Sequence, residues 1–267
     1  MSIKVRDLSG GNETNQSRIV LPDLHIPFHD KKLLECWLDR IASEEFDGVD
    51  IIGDFLDCYT LSRFDKNPSR RDTLQSEVDQ GANILAEIRR LCVGSADIRY
   101  SEGNHEDRLR KILWGKCTAL SGLRNLTIPQ LLGLEDLGIK WHSVENPYKI
   151  GNLWYSHGDL LRCHAGLSAR AKSEAMGVPV LIGHTHRMGW SPKTLSTGVL
   201  DAYECGYMAD KSQLDYSRNI YNWQLGWAEV HFEAGYHQVN FFRVVDCGRE
   251  RFVVGPNGVV GQWRTRR

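Results

Sequence analysis

The sequence predicts an α/β fold, one domain built on two sheets, and three observations carry that expectation. In the first half, a short β-branched run, a polar turn, a helix-period segment and another β-branched run follow one another and begin to repeat. In the second half the texture changes to short alternating runs with turn residues between them. No composition break, internal repeat or low-complexity linker separates the halves, so both belong to one packed unit. The expected organisation is a flexible leader over 1–17, a single domain over 18–260 and a basic tail over 261–267.

The elements follow in order. Residues 1–17 are polar and rich in Gly, Asn and Ser, the composition of a loose terminus. Residues 19–21 read as a buried strand running into Asp23-Leu24-His25. Over 31–43, Leu33, Leu34, Trp37, Leu38 and Ile41 recur at helical spacing. A second strand over 49–52 ends at Gly53-Asp54. The basic stretch 62–73 reads as a surface loop, and 74–91 as a helix with Gly81 its weak point. A third strand, 98–101, runs into Gly103-Asn104-His105, and 109–134 is helical in parts, broken at Gly122 and with Pro129 placed for the first turn of a short helix. Strands are then expected over 139–142, 153–156, 178–182, 226–232 and 236–245.

Composition excludes several classes. Of 267 residues, 41% are hydrophobic and 9% aromatic, enough apolar surface to exclude disorder. With 33 Lys plus Arg against 34 Asp plus Glu, the net charge of −1 argues against a protein that coats nucleic acid non-specifically, although a local basic patch stays open. No apolar run approaches the roughly 20 residues of a membrane span, and no secretory signal is legible. Seven cysteines without a C-x-x-C pair fit free thiols in a reducing cytoplasm. The expectation is a cytoplasmic protein with no membrane partner; the oligomeric state is not legible.

Five polar clusters each follow an expected strand: Asp23-Leu24-His25, Gly53-Asp54-Phe55-Leu56-Asp57, Gly103-Asn104-His105-Glu106, Ser156-His157-Gly158-Asp159 and Gly183-His184-Thr185-His186. Ligands of α/β sheets gather at the carboxyl ends of strands. Carboxylate, amide oxygen and imidazole together suit Mn²⁺, Zn²⁺ or Fe²⁺ rather than a thiolate-seeking ion. In extended backbone, residues i and i+2 project to the same side, so Asp23 with His25, and His184 with His186, are expected to work as pincers on one centre each.

These motifs, D-x-H, GD-x-x-D, GNH-E, a lone His and GH-x-H, resemble the signature of the calcineurin-like metallophosphoesterases over residues 19–186. The length and the Asn222-Trp223-Gln224 region resemble its prokaryotic and phage-type members. The resemblance implies a four-layer α/β/β/α sandwich with two mixed β-sheets and two metal ions, Mn²⁺ foremost, with Zn²⁺, Fe²⁺/Fe³⁺, Ni²⁺ or Mg²⁺ as alternatives. It implies one metal on Asp23, His25 and His186, a second on Asn104, His157 and His184, and Asp54 bridging both. It implies a catalytic, non-ligand His105 oriented by Asp57, and hydrolysis of a phosphoester by metal-activated water.

The departure from the pattern bears on substrate. Where the family's protein phosphatases place Arg-Gly after GD-x-x-D, this chain has Cys58-Tyr59, so a nucleotide or nucleic acid phosphodiester is the expected substrate. Among phosphate-binding candidates, Arg108 comes first, ahead of Arg63, Arg70 and Arg71. A protein or small-molecule phosphomonoesterase and a non-catalytic scaffold are the alternatives. Blander readings stand beside these: Asp57 as a helix N-cap, and His29, His142, His164, His231 and His237 as surface or structural, His164 being the one to watch beside the cleft. Trp114, Trp141, Trp154, Trp223 and Trp227 read as buried aromatics rather than stacking platforms, and 62–71 as a solvated loop rather than a nucleic-acid patch.

Overall fold

Strand alternation sorts the side chains into layers. The structure, a computed structural model, describes residues 15–92, 94, 96–215 and 221–265; most of the expected leader, 1–14, and the last two residues of the tail lie outside them. The chain forms β1 (Gln16–Leu21), α1 (Lys31–Ser43), β2 (Gly48–Ile51), α2 (Leu74–Leu91), β3 (Asp97–Ser101), α3 (Asp107–Lys116), α4 (Ile128–Leu131) and β4 (Ile139–His142). It continues through β5 (Tyr148–Ile150), β6 (Leu153–Ser156), α5 (Leu167–Met176), β7 (Val180–Ile182), β8 (Met188–Trp190), β9 (Lys193–Leu195), β10 (Gly198–Leu200) and β11 (Ala202–Cys205). It closes with β12 (Gly226–Glu233), β13 (Tyr236–Cys247), β14 (Glu250–Gly255) and β15 (Gly258–Arg264).

Two mixed sheets result. The larger runs β15-β14-β13-β12-β1-β2-β3-β4 and the smaller β5-β6-β7-β11-β8. In the larger, β1 to β4 are parallel and β12 joins β1 antiparallel. On β1, Ile19 and Leu21 pack with Leu33, Trp37 and Leu85 of α1 and α2, while Val20 points the other way and packs with Leu153, Tyr155 and Leu181 of the smaller sheet. Ala169 of α5 covers the outer face of the smaller sheet with Val180, Ile182 and Ala202. Helices, sheet, sheet and helix make the four layers expected of the fold.

The layer between the sheets also buries charge. Arg18 grips Asp50 with Nε at 2.7 Å and Nη2 at 2.9 Å, and the Tyr148 hydroxyl donates to the same carboxylate at 2.8 Å. With every group satisfied, the pair is tolerated in the interior.

Several boundaries differ from expectation. β1 begins at Gln16, so the last two residues of the assigned leader are already in the sheet. β15 pairs with β14 as far as Arg264, so 261–264 of the assigned tail form an edge strand. Sequence periodicity misses α5 because its buried face is Ser168, Ala169 and Ser173 rather than large apolar residues. Its first turn is held from outside the helix, with Ser168 and Ala169 N–H groups donating to Glu204 Oε1 at 3.0 and 3.2 Å. The very short strands β5, β8–β10 and β11, and the edge strands β14 and β15, are likewise not legible in the pattern. Trp227 is buried as expected, whereas Trp114 is 63% exposed.

Candidate metal centre

Each residue expected to hold a metal or act beside it sits just past a strand. Asp23 and His25 follow β1, Asp54 and Asp57 follow β2, Asn104 and His105 follow β3, His157 follows β6, and His184 and His186 follow β7. Five strand ends from two sheets therefore face one another. Asp23, His25 and His186 bring ligand atoms within 4.8 Å of one another, and so do Asp54, His157 and His184. Asn104 Oδ1 joins the second group, 3.1 Å from His157 Nε2 and 2.7 Å from His184 Nδ1. Asp54 Oδ2 lies 3.3 Å from His157 Nε2 and 4.0 Å from His25 Nε2, between the two groups.

The pincer expectation is half right. Asp23 and His25 do converge, but His184 and His186 face different groups. The backbone is not extended there: Asp23, His25, Asp54, His184 and His186 have φ of 23°, 53°, 46°, 66° and 58°. Left-handed conformations cost non-glycine residues about 1–3 kcal/mol each and gather where a site over-determines them. Tight turns swing alternate side chains to separate centres, which alternation along a strand would not do.

Close approach explains the motif glycines. A Cβ on Gly183 would run into Asp23 Oδ2, and one on Gly103 into the Asp54 amide and Oδ1. The loops press against the carboxylates, and only a missing side chain permits it.

The residues fit a pair of cations by their donor chemistry. Burial pushes the Asp23 carboxyl well above its ordinary range, with the Asp54 charge adding to the effect. Burial would do the same to Asp54, but His105 and His157 hold it well below. Burial keeps His25 and His186 down, and His184 down at about 4, so these imidazoles are neutral and have lone pairs to give. With His25 Nδ1–H given to Asp57, His25 Nε2 accepts from His186 Nε2 at 3.0 Å. His157, though buried, is raised to about 10 by Asp54, a sign that the cluster draws positive charge to itself. Oxygen and imidazole donors around such a centre suit borderline divalent ions.

Asp57 lies beside His105 as expected, but it serves two imidazoles. Asp57 Oδ2 takes His25 Nδ1 at 2.9 Å, fixing the tautomer that leaves Nε2 free. His105 Nδ1 is held instead by the Asp57 main-chain oxygen at 2.8 Å, with the carboxylate at 3.4 Å. The N-cap alternative does not apply, since Cys58 precedes the short helical turn Tyr59–Leu61 without a side-chain cap. Arg108 Nη1 donates to the same Asp57 oxygen at 2.7 Å, and its Nη2 stands 2.9 Å from His105 Nε2. Burial lowers the affinity of His105 for a proton, but Asp54 and Asp57 outweigh it and its pKa is raised.

Arg108 lines the cleft beside His105, whereas Arg63 is exposed, stacks over Phe64 at 5.3 Å and is not among the lining residues. Arg70 is tied to Asp215, and exposed Arg71 donates to the Pro68 carbonyl. His164 is exposed and lines neither cavity flanking the centre.

Sequence reasoning left four supporting residues without a role at the centre. Glu106, fully buried, accepts from Asp54 N, Leu56 N, Gly103 N and the Tyr100 hydroxyl at 2.9–3.1 Å, lashing together the loops after β2 and β3. Glu204 takes the Thr185 hydroxyl at 3.0 Å and so holds the turn between His184 and His186. Trp223 packs edge-on to His186 at 4.6 Å while Tyr207 stacks on it at 5.0 Å. The signal for the first was present, because Glu106 completes the GNH-E motif.

A two-sheet sandwich carrying these two groups at its strand ends is the arrangement that the resemblance to the calcineurin-like metallophosphoesterases implies. No protein-family model matches the chain. It is 30% identical over 228 residues to the gene 54 protein of Mycobacterium phage L5, covering 79% of this chain and 86% of the relative. To the gene 54 protein of Mycobacterium phage D29 it is 29% identical, covering 78% and 86%. The chain belongs to the family of these mycobacteriophage gene 54 proteins. Among solved structures it is similar to Vps29 of Chaetomium thermophilum (9% identity, 93% of this chain and 98% of that one, TM-score 0.48). A dimetal phosphatase from Danio rerio is also similar (10%, 90% and 95%, 0.42), as is the nuclease MPE of Pseudomonas putida (14%, 83% and 86%, 0.36). Among the described residues, no helix is long and apolar enough to cross a membrane.

Proposed function

We propose that the protein hydrolyses phosphodiester bonds in nucleotides or nucleic acid, using two divalent cations, Mn²⁺ foremost. One observation carries the preference for a diester: two cavities border the centre, one with Asp57 and His105 and the other with His157 and His184 in its lining, and Asn104 lines both. One, of about 540 Å³, contains His105, Arg108 and aromatic side chains. The other, of about 380 Å³, contains His157, His184, Lys111 and Lys172. A phosphodiester has an arm to place on either side of phosphorus, whereas a monoester needs only one cavity.

Asp23, His25 and His186 would hold one cation, and Asn104, His157 and His184 the other, with Asp54 between them. When bound, such a pair lowers the pKa of water and neutralises phosphoryl charge. The chain's own groups do the rest. Arg108 presents paired N–H donors that match two phosphate oxygens. A phosphate that draws Arg108 away frees His105 Nε2 to take up a proton from solvent and pass it to the departing oxygen, while the Asp57 main-chain oxygen keeps Nδ1–H in place.

The test compares bis-p-nitrophenyl phosphate with p-nitrophenyl phosphate in the Mn²⁺-loaded protein. The diester should turn over faster, and loaded protein inert to both overturns the reading. His105→Ala should lower kcat about 10²–10⁴-fold with both metals retained; loss of metal would assign His105 to the ligand set instead.

A further inference from the structure

The 540 Å³ cavity beside His105 has a second end that the hydrolytic chemistry does not use. Its walls there are Phe28, Tyr59, Phe64 and Leu214, with the carboxylates of Asp65 and Asp215 at the edge. Phe28 is buried and meets Tyr59 edge-to-face at 5.6 Å. Tyr59 is pinned by its hydroxyl, which donates to Asp215 Oδ2 at 2.7 Å and accepts from Asn67 N at 2.7 Å. Arg70 closes the back, 4.1 Å over the Phe28 ring and ion-paired to Asp215 at 3.2 Å. This wall is rigid and preformed.

Phe64 is the exception. The residue is 66% exposed, and the exposed Arg63 lies over its ring at 5.3 Å. A large exposed aromatic bordering a cavity is a surface for a partner ring. The Asp65 carboxylate in the lining accepts N–H donors and repels anions, whereas Asp215 is already neutralised by Arg70, so a second phosphate is disfavoured and a flat, uncharged ring bearing amino groups is favoured. The volume lies within the about 300–1,000 Å³ of small-molecule sites.

We propose that this end is a nucleobase subsite, in which Phe64 stacks on the base attached to the phosphate held at Arg108 and His105. The inference rests on the proposed phosphodiesterase reading and names its substrate as a nucleotide recognised by its base.

Equilibrium binding of AMP and ribose 5-phosphate to the Mn²⁺-loaded protein isolates the base. One stacked base corresponds to a preference for AMP of roughly 5- to 150-fold. Phe64→Ala should abolish that preference and Phe64→Trp restore it, with ribose 5-phosphate binding the same in all three; Phe64 is too exposed for its removal to unfold the protein. Equal binding of the two ligands to the unaltered protein, no binding of AMP, or a preference that survives Phe64→Ala overturns the subsite. Inert bis-p-nitrophenyl phosphate beside an intact AMP preference would refute hydrolysis and leave the subsite standing.

Discussion

Replacing Glu106 with Gln tests how the loops of the centre are held. Oε1 accepts Leu56 N at 2.9 Å and the Tyr100 hydroxyl at 2.9 Å, while Oε2 accepts Asp54 N at 3.1 Å and Gly103 N at 3.0 Å. A glutamine must turn its NH₂ toward one of these pairs. Facing Asp54 and Gly103 it would meet two N–H groups that cannot reverse. Facing Leu56 and Tyr100 it meets only one, because a hydroxyl can rotate to accept. The second orientation wins, and one buried N–H loses its acceptor at a cost of about 1–3 kcal/mol. For a domain of this size that is a fall in Tm of roughly 2–12 °C. Glu106→Ala orphans all four donors and leaves a void, so its loss should be at least twice as large. Thermal and urea unfolding of both variants measure this. A glutamine variant as stable as the unaltered protein, or as unstable as the alanine variant, would refute the argument.

Three further outcomes are expected. Gly183→Ala should displace Asp23 and lower bound metal below two per chain in elemental analysis, with a stability loss of about 1–3 kcal/mol from overpacking; full occupancy would show that the loop yields. Glu77 is raised to about 8 by burial, with the Asp57 charge adding to it. Because the folded value exceeds the ordinary 4.5, its contribution is fully present below pH 4.5 and lost as pH rises through 8. Glu77→Gln should therefore gain stability over the unaltered protein between pH 5 and 8 and hold that gain above, whereas parallel curves would contradict the burial argument. Chelation of the loaded protein should abolish turnover and lower Tm, with a stability loss of about 2.7 kcal/mol per cation when the free ion had stood at 100 times its Kd; an unchanged Tm would mean that no cation is held.

What the chain alone settled lies where local pattern carries the message. The periods of 31–43 and 74–91 coincide with α1 and α2, and the runs before Asp23, Asp54 and Asn104 are β1, β2 and β3, because buried strands and amphipathic helices each have their own spacing. The seven candidate ligands were legible too, as polar residues repeatedly following strands. Their division into Asp23, His25 and His186 on one side and Asn104, His157 and His184 on the other was implied by the resemblance, and the structure groups them that way; the geometry that achieves it belongs to the tertiary structure. That His184 and His186 part company, and that Asp57 serves His25 more closely than His105, depends on left-handed turns and on contacts across 32 to 161 positions. Asp and His enter such conformations more readily than most residues, yet nothing in their neighbours announces it. The same holds for α5, whose small buried face and borrowed cap make sense only against Glu204, and for the ring-lined cavity, whose Phe28, Tyr59, Phe64 and Leu214 meet only once the sheets have closed.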